Sequence, residues 1–171
     1  MMKAFISCAL THVPRDVFAR YASFIHSLAE VAWSAGCNDV KYALISSDPQ
    51  LARKPESQRA RLCYTWDKEL VRGADVVIAD ATYPSIGMGI ELEVACGIGI
   101  PIIICYEHRA EHRIESIDYD NPDRTRHTLQ IGEGYVSLMA LGLTTLFKVI
   151  PYTSESEALV GVADSLKMLI K

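Results

Sequence analysis

Val76-Val77-Ile78-Ala79-Asp80-Ala81-Thr82-Tyr83-Pro84-Ser85-Ile86-Gly87-Met88-Gly89-Ile90-Glu91-Leu92-Glu93 is the stretch that decides how this chain folds. Its first residues are apolar on both sides of a strand, as in a strand buried between two layers. The small, turn-prone loop Ala81 to Gly87 ends that strand, and Met88 to Cys96 reads as a short helix closed by Gly97 and Gly99. Pro101 then leads into Ile102 to Tyr106, apolar throughout. A buried strand, a tight turn, a helix and a second buried strand form a βαβ unit, which requires a parallel sheet covered by helices.

The flanking sequence extends the alternation. Lys3 to Ser7 is a short strand, and Val17, Tyr21, Phe24, Ile25, Leu28 and Ala32 recur at helical spacing up to Gly36. Val40 to Ile45 reads as a second strand and Ser46 to Ser57 as a long loop. A helix over Arg59 to Arg72 sets Leu62, Cys63, Trp66 and Leu70 on one side and stops at Gly73. Glu107 to His127 is charged and irregular, and Gly134 to Leu141 suggests a short helix. Leu146 to Ile150 is a fifth strand, and Ser154 to Leu169 a closing amphipathic helix. This pattern predicts an α/β protein, a three-layer flavodoxin-like (Rossmann-like) fold with a five-stranded parallel sheet, in one domain over residues 1–171. Ligands of such folds sit outside the carboxyl ends of the strands, so the segments after Ser7, Ile45, Asp80 and Tyr106 carry the function.

Composition narrows the classes. Seventeen Lys and Arg against twenty-one Asp and Glu give 17 − 21 = −4, with no basic and aromatic surface for nucleic acid. No stretch reaches the ~18 apolar residues of a membrane span, and the first residues are too weakly apolar for a signal peptide. The cysteines at 8, 37, 63, 96 and 105 are odd in number and lack a C-x-x-C spacing, which fits reduced thiols and a cytoplasmic protein. His108-Arg109-Ala110-Glu111-His112 has the H-x-x-E-H spacing of some zinc sites. It directly follows a strand and has no evident third ligand, so it is read as a charged loop able to cover the crevice. No metal or cofactor is called for.

In the central stretch, Gly87 and Gly89 would let a ligand approach the backbone, the Ser85 hydroxyl can donate, and the first helical amides point at any anion. A strand-to-helix connection with Ser85 as its cap accounts for the same residues. Glu91 is expected in the first helical turn, where the dipole would lower its pKa and keep it ionised. Glu93 projects roughly 200° away around the helix, so only one of the two can face the crevice.

With Asp67 on the preceding helix, Ala79-Asp80 at a strand end and the run Pro84-Ser85-Ile86-Gly87-Met88-Gly89-Ile90-Glu91-Leu92, the chain resembles the nucleoside 2-deoxyribosyltransferase superfamily, which includes 2'-deoxynucleoside 5'-phosphate N-hydrolases. The resemblance runs from Asp67 to Ile104. It implies cleavage of the N-glycosidic bond of a nucleoside or nucleoside 5'-monophosphate. The residue matching Glu91 would be the nucleophile, that matching Asp67 its partner, and Ser85, Gly87 and Gly89 would hold the 5' end of the sugar. It further implies a homodimer or larger homo-oligomer. Where relatives carry a Tyr on the first strand this chain has Phe5, and in place of a Gly-Ser-Ile-Arg-Gly-like turn it has Cys8-Ala9-Leu10-Thr11-His12. Thr11 and His12 are the substitutes expected at the substrate.

Among aromatics, Trp66 is expected in the core and Tyr83 is the candidate for stacking on a base, ahead of Tyr64 and Tyr106. His127 is read as part of a solvated loop. Two other functions stay open at this stage: a TIR-like NAD glycohydrolase using the same glutamate, and a nucleotide-sensing module without catalysis.

Overall fold

The computed structural model describes residues 1–46 and 51–170. Its parallel sheet is built from β1 (Met2–Cys8), β2 (Cys37–Tyr42), β3 (Val76–Asp80), β4 (Ile102–Glu107) and, last in the chain, β7 (Leu146–Tyr152). The order is β2-β1-β3-β4-β7, every neighbouring pair is parallel, and the strand order reverses between β1 and β3. This is the three-layer α/β architecture expected, with the crevice of the reversal at the carboxyl ends of β1 and β3.

Because side chains alternate along a strand, each central strand serves two cores. Ala4, Ile6, Val76, Ile78 and Ile103 face the layer of α1 (Phe18–Ser34) and α6 (Glu155–Ile170). Phe5, Val77, Ala79, Ile102 and Ile104 face the layer of α4 (Ile86–Gly97). Continuous apolar runs are therefore needed, and burial of these side chains at ~25 cal/mol per Å² drives the collapse.

Several boundaries differ from the sequence expectation. Gly36, at φ +108°, turns the chain straight from α1 into β2, which pairs with β1 from Met2 onward. The strand therefore starts at Cys37, and Ala43–Ser46 forms a single helical turn, α2. The long loop expected over 46–57 has positions 47–50 outside the described residues; Leu51–Arg53 is a 3₁₀ turn, and α3 starts at Glu56 and runs to Arg72. The side of α3 expected in the core is not there. Of its residues only Val71 is buried, while Leu62, Cys63, Tyr64 and Trp66 are exposed, the Trp66 indole donating to the Ser46 carbonyl at 2.6 Å.

The charged segment after β4 contains an antiparallel hairpin, β5 (Asp118–Asp120) with β6 (Arg126–Thr128), which carries the exposed His127. The helix expected over 134–141 shrinks to α5 (Leu138–Leu141). Gly134, at φ +86°, lies so close to Ile114 that a Cβ would collide with its carbonyl, and the Ile114 amide donates to the Gly134 carbonyl at 2.8 Å. That close approach clamps the crossover to α5 against the segment after β4.

Candidate active site

Ser85 ends the β3–α4 turn as the helix cap, its hydroxyl accepting from the Met88 amide at 3.3 Å. The helix thus begins at Ile86, earlier than the sequence suggested, and this changes two assignments. Gly87 lies inside the helix rather than in the loop, and the Gly89 amide is engaged with the Ser85 carbonyl at 3.2 Å. Among the described residues, the amides of Ile86 and Gly87 find no protein acceptor, so these are the donors left at the helix end. Glu91, in turn, stands in the second turn, beyond the reach of the dipole.

The expected low pKa of Glu91 is overturned. Burial pushes its carboxyl up to about 7; the Ser7 hydroxyl bonded to Oε2 pulls it down, and the nearby charge of Asp67 pushes it further up. Glu91 is therefore poised near neutrality between two protonation states. Asp67, half-buried on α3, is also raised by burial and accepts from the Cys63 thiol at 3.4 Å. The Cys8 thiol, next along β1, is pushed up to about 12 by burial and by the charges of Glu91 and Asp80. Glu91, Asp67, Ser7 and Cys63 thus gather where the end of β1 meets α4 and α4 meets α3, beside the strand-order reversal, while Cys8 packs on the opposite face of the sheet.

Phe5 does not belong to it. This side chain is fully buried between the sheet and the α4 layer with Val71 and Val77, and is packing rather than a substrate contact. The hydroxyl expected from a tyrosine comes instead from Ser7, two residues on and so on the same strand face. A serine closing an apolar strand, in phase with Phe5, was the available signal for it. Thr11 is exposed and its carbonyl accepts from Arg15 at 3.3 Å, whereas His12 borders a large cavity.

That cavity, about 870 Å³, lies on the other flank of α4. Ser85, Gly89, Glu93 and Tyr83 line it; Glu91 and Asp67 do not. Of the two glutamates, Glu93 therefore faces this cavity and Glu91 does not. Tyr83 is half-buried, edge-on to Tyr21 and to His112 with ring centroids 5.2 Å away in each case, rather than free for stacking. Tyr106 is buried and stacks on Tyr135 at 5.3 Å.

Two buried carboxylates that the sequence reading assigned no role brace the strand ends. Asp80 accepts from the Tyr152 hydroxyl at 2.9 Å, the Thr82 hydroxyl at 3.2 Å and the Thr82 amide at 3.3 Å. Glu107 pairs with Arg109 at 2.9 Å, His112 at 3.0 Å and Arg20 at 3.6 Å, and its amide donates to the Thr82 hydroxyl at 2.9 Å. His112 is thereby held at the cavity wall, while His108 lies on the Tyr135 ring, 4.6 Å between centroids. The segment joining these two histidines is a 3₁₀ turn, and no group of three side chains suited to a metal ion occurs among the described residues.

No protein-family model matches the chain. A stretch of 62 residues, 36% of the chain, is 36% identical to Putative 2'-deoxynucleoside 5'-phosphate N-hydrolase 1 of Syntrophotalea carbinolica, and spans 44% of that protein. The fold is shared with CMP N-glycosidase BcmB of Clostridium botulinum, at 18% identity and TM-score 0.55 over 94% of this chain and 96% of that one. A conserved protein from Enterococcus faecalis V583 superposes at 18% identity and TM-score 0.61 over 96% and 98%. The sequence match supports the resemblance to the nucleoside 2-deoxyribosyltransferase superfamily, and the two structures establish the fold.

Proposed function

We propose that this chain cleaves the N-glycosidic bond of a nucleoside or nucleoside 5'-monophosphate, with Glu91 as nucleophile and Asp67 as its acid–base partner. The observation that carries this reading is the half-buried Glu91 carboxylate, tethered by Ser7 and close enough to Asp67 to feel its charge, at the strand-order reversal. The compared proteins named as an N-hydrolase and an N-glycosidase support it over an NAD glycohydrolase or a catalytically silent sensor.

Chemically, the ionised Glu91 attacks the anomeric carbon as the bond to the base breaks, and its negative charge stabilises the oxocarbenium character of the sugar. The electron pair of the broken bond leaves with the base, and Asp67, the second carboxyl beside Glu91, passes the base a proton. Water then attacks the glycosyl ester, returning its proton to Asp67 and freeing Glu91, with net retention. A second base in place of water gives transfer. The 5' end of the sugar rests on the Ser85 hydroxyl and the free amides of Ile86 and Gly87.

In this reading, residues 1–171 act as one deoxyribosyltransferase-like domain in the cytoplasm, in keeping with five free thiols. We also read α3 as a self-association surface. Among the residues it leaves exposed are Leu62, Tyr64 and Trp66, and it adjoins the Asp67 site. Sedimentation of the full chain should show a dimer or larger species that Trp66→Glu dissociates; a monomer at every concentration refutes that part.

The central test incubates the protein with nucleosides, their 5'-monophosphates and NAD and follows free base by chromatography. Glu91→Gln should lower base release by at least about 10³-fold with an unchanged circular dichroism spectrum. Equal turnover by that variant removes Glu91 from the mechanism.

A further inference from the structure

We infer that the substrate carries an uncharged, apolar substituent on the 5' carbon of its sugar, and that the cavity on the far flank of α4 receives it. This rests on the reading above, in which Glu91 meets the anomeric carbon and the first turn of α4 meets the 5' end.

Glu91 and the cavity lie on opposite flanks of that turn. At about 100° per residue, Glu91 and Gly87 fall on one flank of α4, while Ser85, Gly89 and Glu93 fall on the other, with Met88 and Leu92 towards the sheet between them. A sugar over Glu91 with its 5' end at the helix cap therefore points its 5' substituent past Ser85 and Ile86 into the cavity. The space there is about 870 Å³, the size of a ligand pocket and far more than one phosphate fills.

The walls specify the chemistry. They are formed mainly by Met88, Leu92, Ile114, Val136, Met139 and Leu143. Four ionisable side chains of Glu or His face in: Glu93, Glu111, His12 and His112, the last engaged with Glu107 at 3.0 Å. No arginine or lysine of the described residues lines the cavity. A phosphate dianion lying deeper than the helix end would meet two carboxylates against the imidazoles of His12 and His112, the latter already engaged with Glu107, and no guanidinium or ammonium partner, which is unfavourable. An alkyl or thioalkyl chain would instead bury apolar surface, and the two methionines can adapt to its shape.

The test compares matched 5'-hydroxyl, 5'-phosphate, 5'-methylthio and 5'-butylthio nucleosides, each with adenine or cytosine. Initial rates of base release give kcat/KM, and calorimetry on Glu91→Gln gives affinity without turnover. Burial of a methylene favours binding by about fourfold, so the butylthio form should exceed the methylthio form by at least about tenfold in kcat/KM and in affinity, with the phosphate form last. Filling the cavity by Ala140→Phe should bring the ratio of butylthio to methylthio rates close to one. Release from every form without this order, or with phosphate preferred, overturns the inference and leaves the Glu91 reaction standing. Release from none overturns the reaction. In that event an affinity that fails to rise from methylthio to butylthio also removes the cavity assignment, and one that does rise keeps it.

Discussion

At the end of β3, Asp80 is wholly enclosed, yet it receives hydrogen bonds from Tyr152 and from the hydroxyl and amide of Thr82; burial lifts its carboxyl to about 6 while these donors pull it down. In the second turn of α4, Glu91 is less enclosed, but among the described residues one serine hydroxyl is its donor and a second carboxylate stands near; its carboxyl reaches about 7. Desolvation acts on both, and the number of donors separates them. A carboxylate whose lone pairs are filled is a brace, because nothing is left for a substrate to take. A carboxylate held by one donor keeps an oxygen free, and the energy of keeping it poorly solvated is stored for reaction.

The comparison would break if the two sites responded alike to loss of charge. Asp80→Ala strips the acceptor from Tyr152 and Thr82 inside the core and should destabilise the protein by about 3 kcal/mol at neutral pH. Glu91→Gln should do the opposite above neutrality. The folded pKa of Glu91, about 7, lies above its ordinary 4.5, so the unfolded chain loses the proton first and stability falls as pH rises between those values. The full cost, at most about 3 kcal/mol, is present above pH 7 and absent below pH 4.5. Urea unfolding at pH 5 and pH 8 measures both variants. A Glu91→Gln protein no more stable than the parent at pH 8 would put Glu91 in the same class as Asp80.

How much of this could be read from the sequence follows from the range of the interactions. The β3–α4–β4 unit was legible because its signals are local: continuous apolar runs, Pro84, Ser85 and the glycines that close the helix. Ser85 as a cap was legible for the same reason. The turn in which Glu91 stands was missed by a two-residue error in where the helix starts, since Ile86 and Gly87 read as loop and yet sit in helix. Phe5 was misassigned because an apolar residue on a buried strand carries no mark of which core it enters, and the Ser7–Glu91 bond joins residues 84 apart. The exposed side of α3 was invisible for a further reason: Leu62, Cys63 and Trp66 have the spacing of a buried stripe, and only the fold shows that the sheet does not reach them.

A finer test bears on the single donor that distinguishes Glu91. Ser7→Ala removes the hydroxyl while leaving Phe5 and the strand in place, so Glu91 loses the hydrogen bond that, among the described residues, holds its carboxyl down. Among the described residues, the titratable groups near enough to influence it are Cys8 of β1 and Cys63 and Asp67 of α3; none of these is a cation, and the Asp67 charge opposes ionisation. A hydrogen bond to a charged group contributes about 1.5 kcal/mol or more, which is about one pH unit. The acid limb of kcat/KM for base release should therefore move up by about one unit, with a loss of roughly fivefold to tenfold at pH 7 and near-recovery by pH 9, and Ser7→Thr should restore the parent profile. Were Ser7 merely part of the strand packing, the alanine variant would scale the whole profile down without moving the limb. That outcome would leave Glu91 with no more specific support than Asp67 receives from the Cys63 thiol, a weak donor.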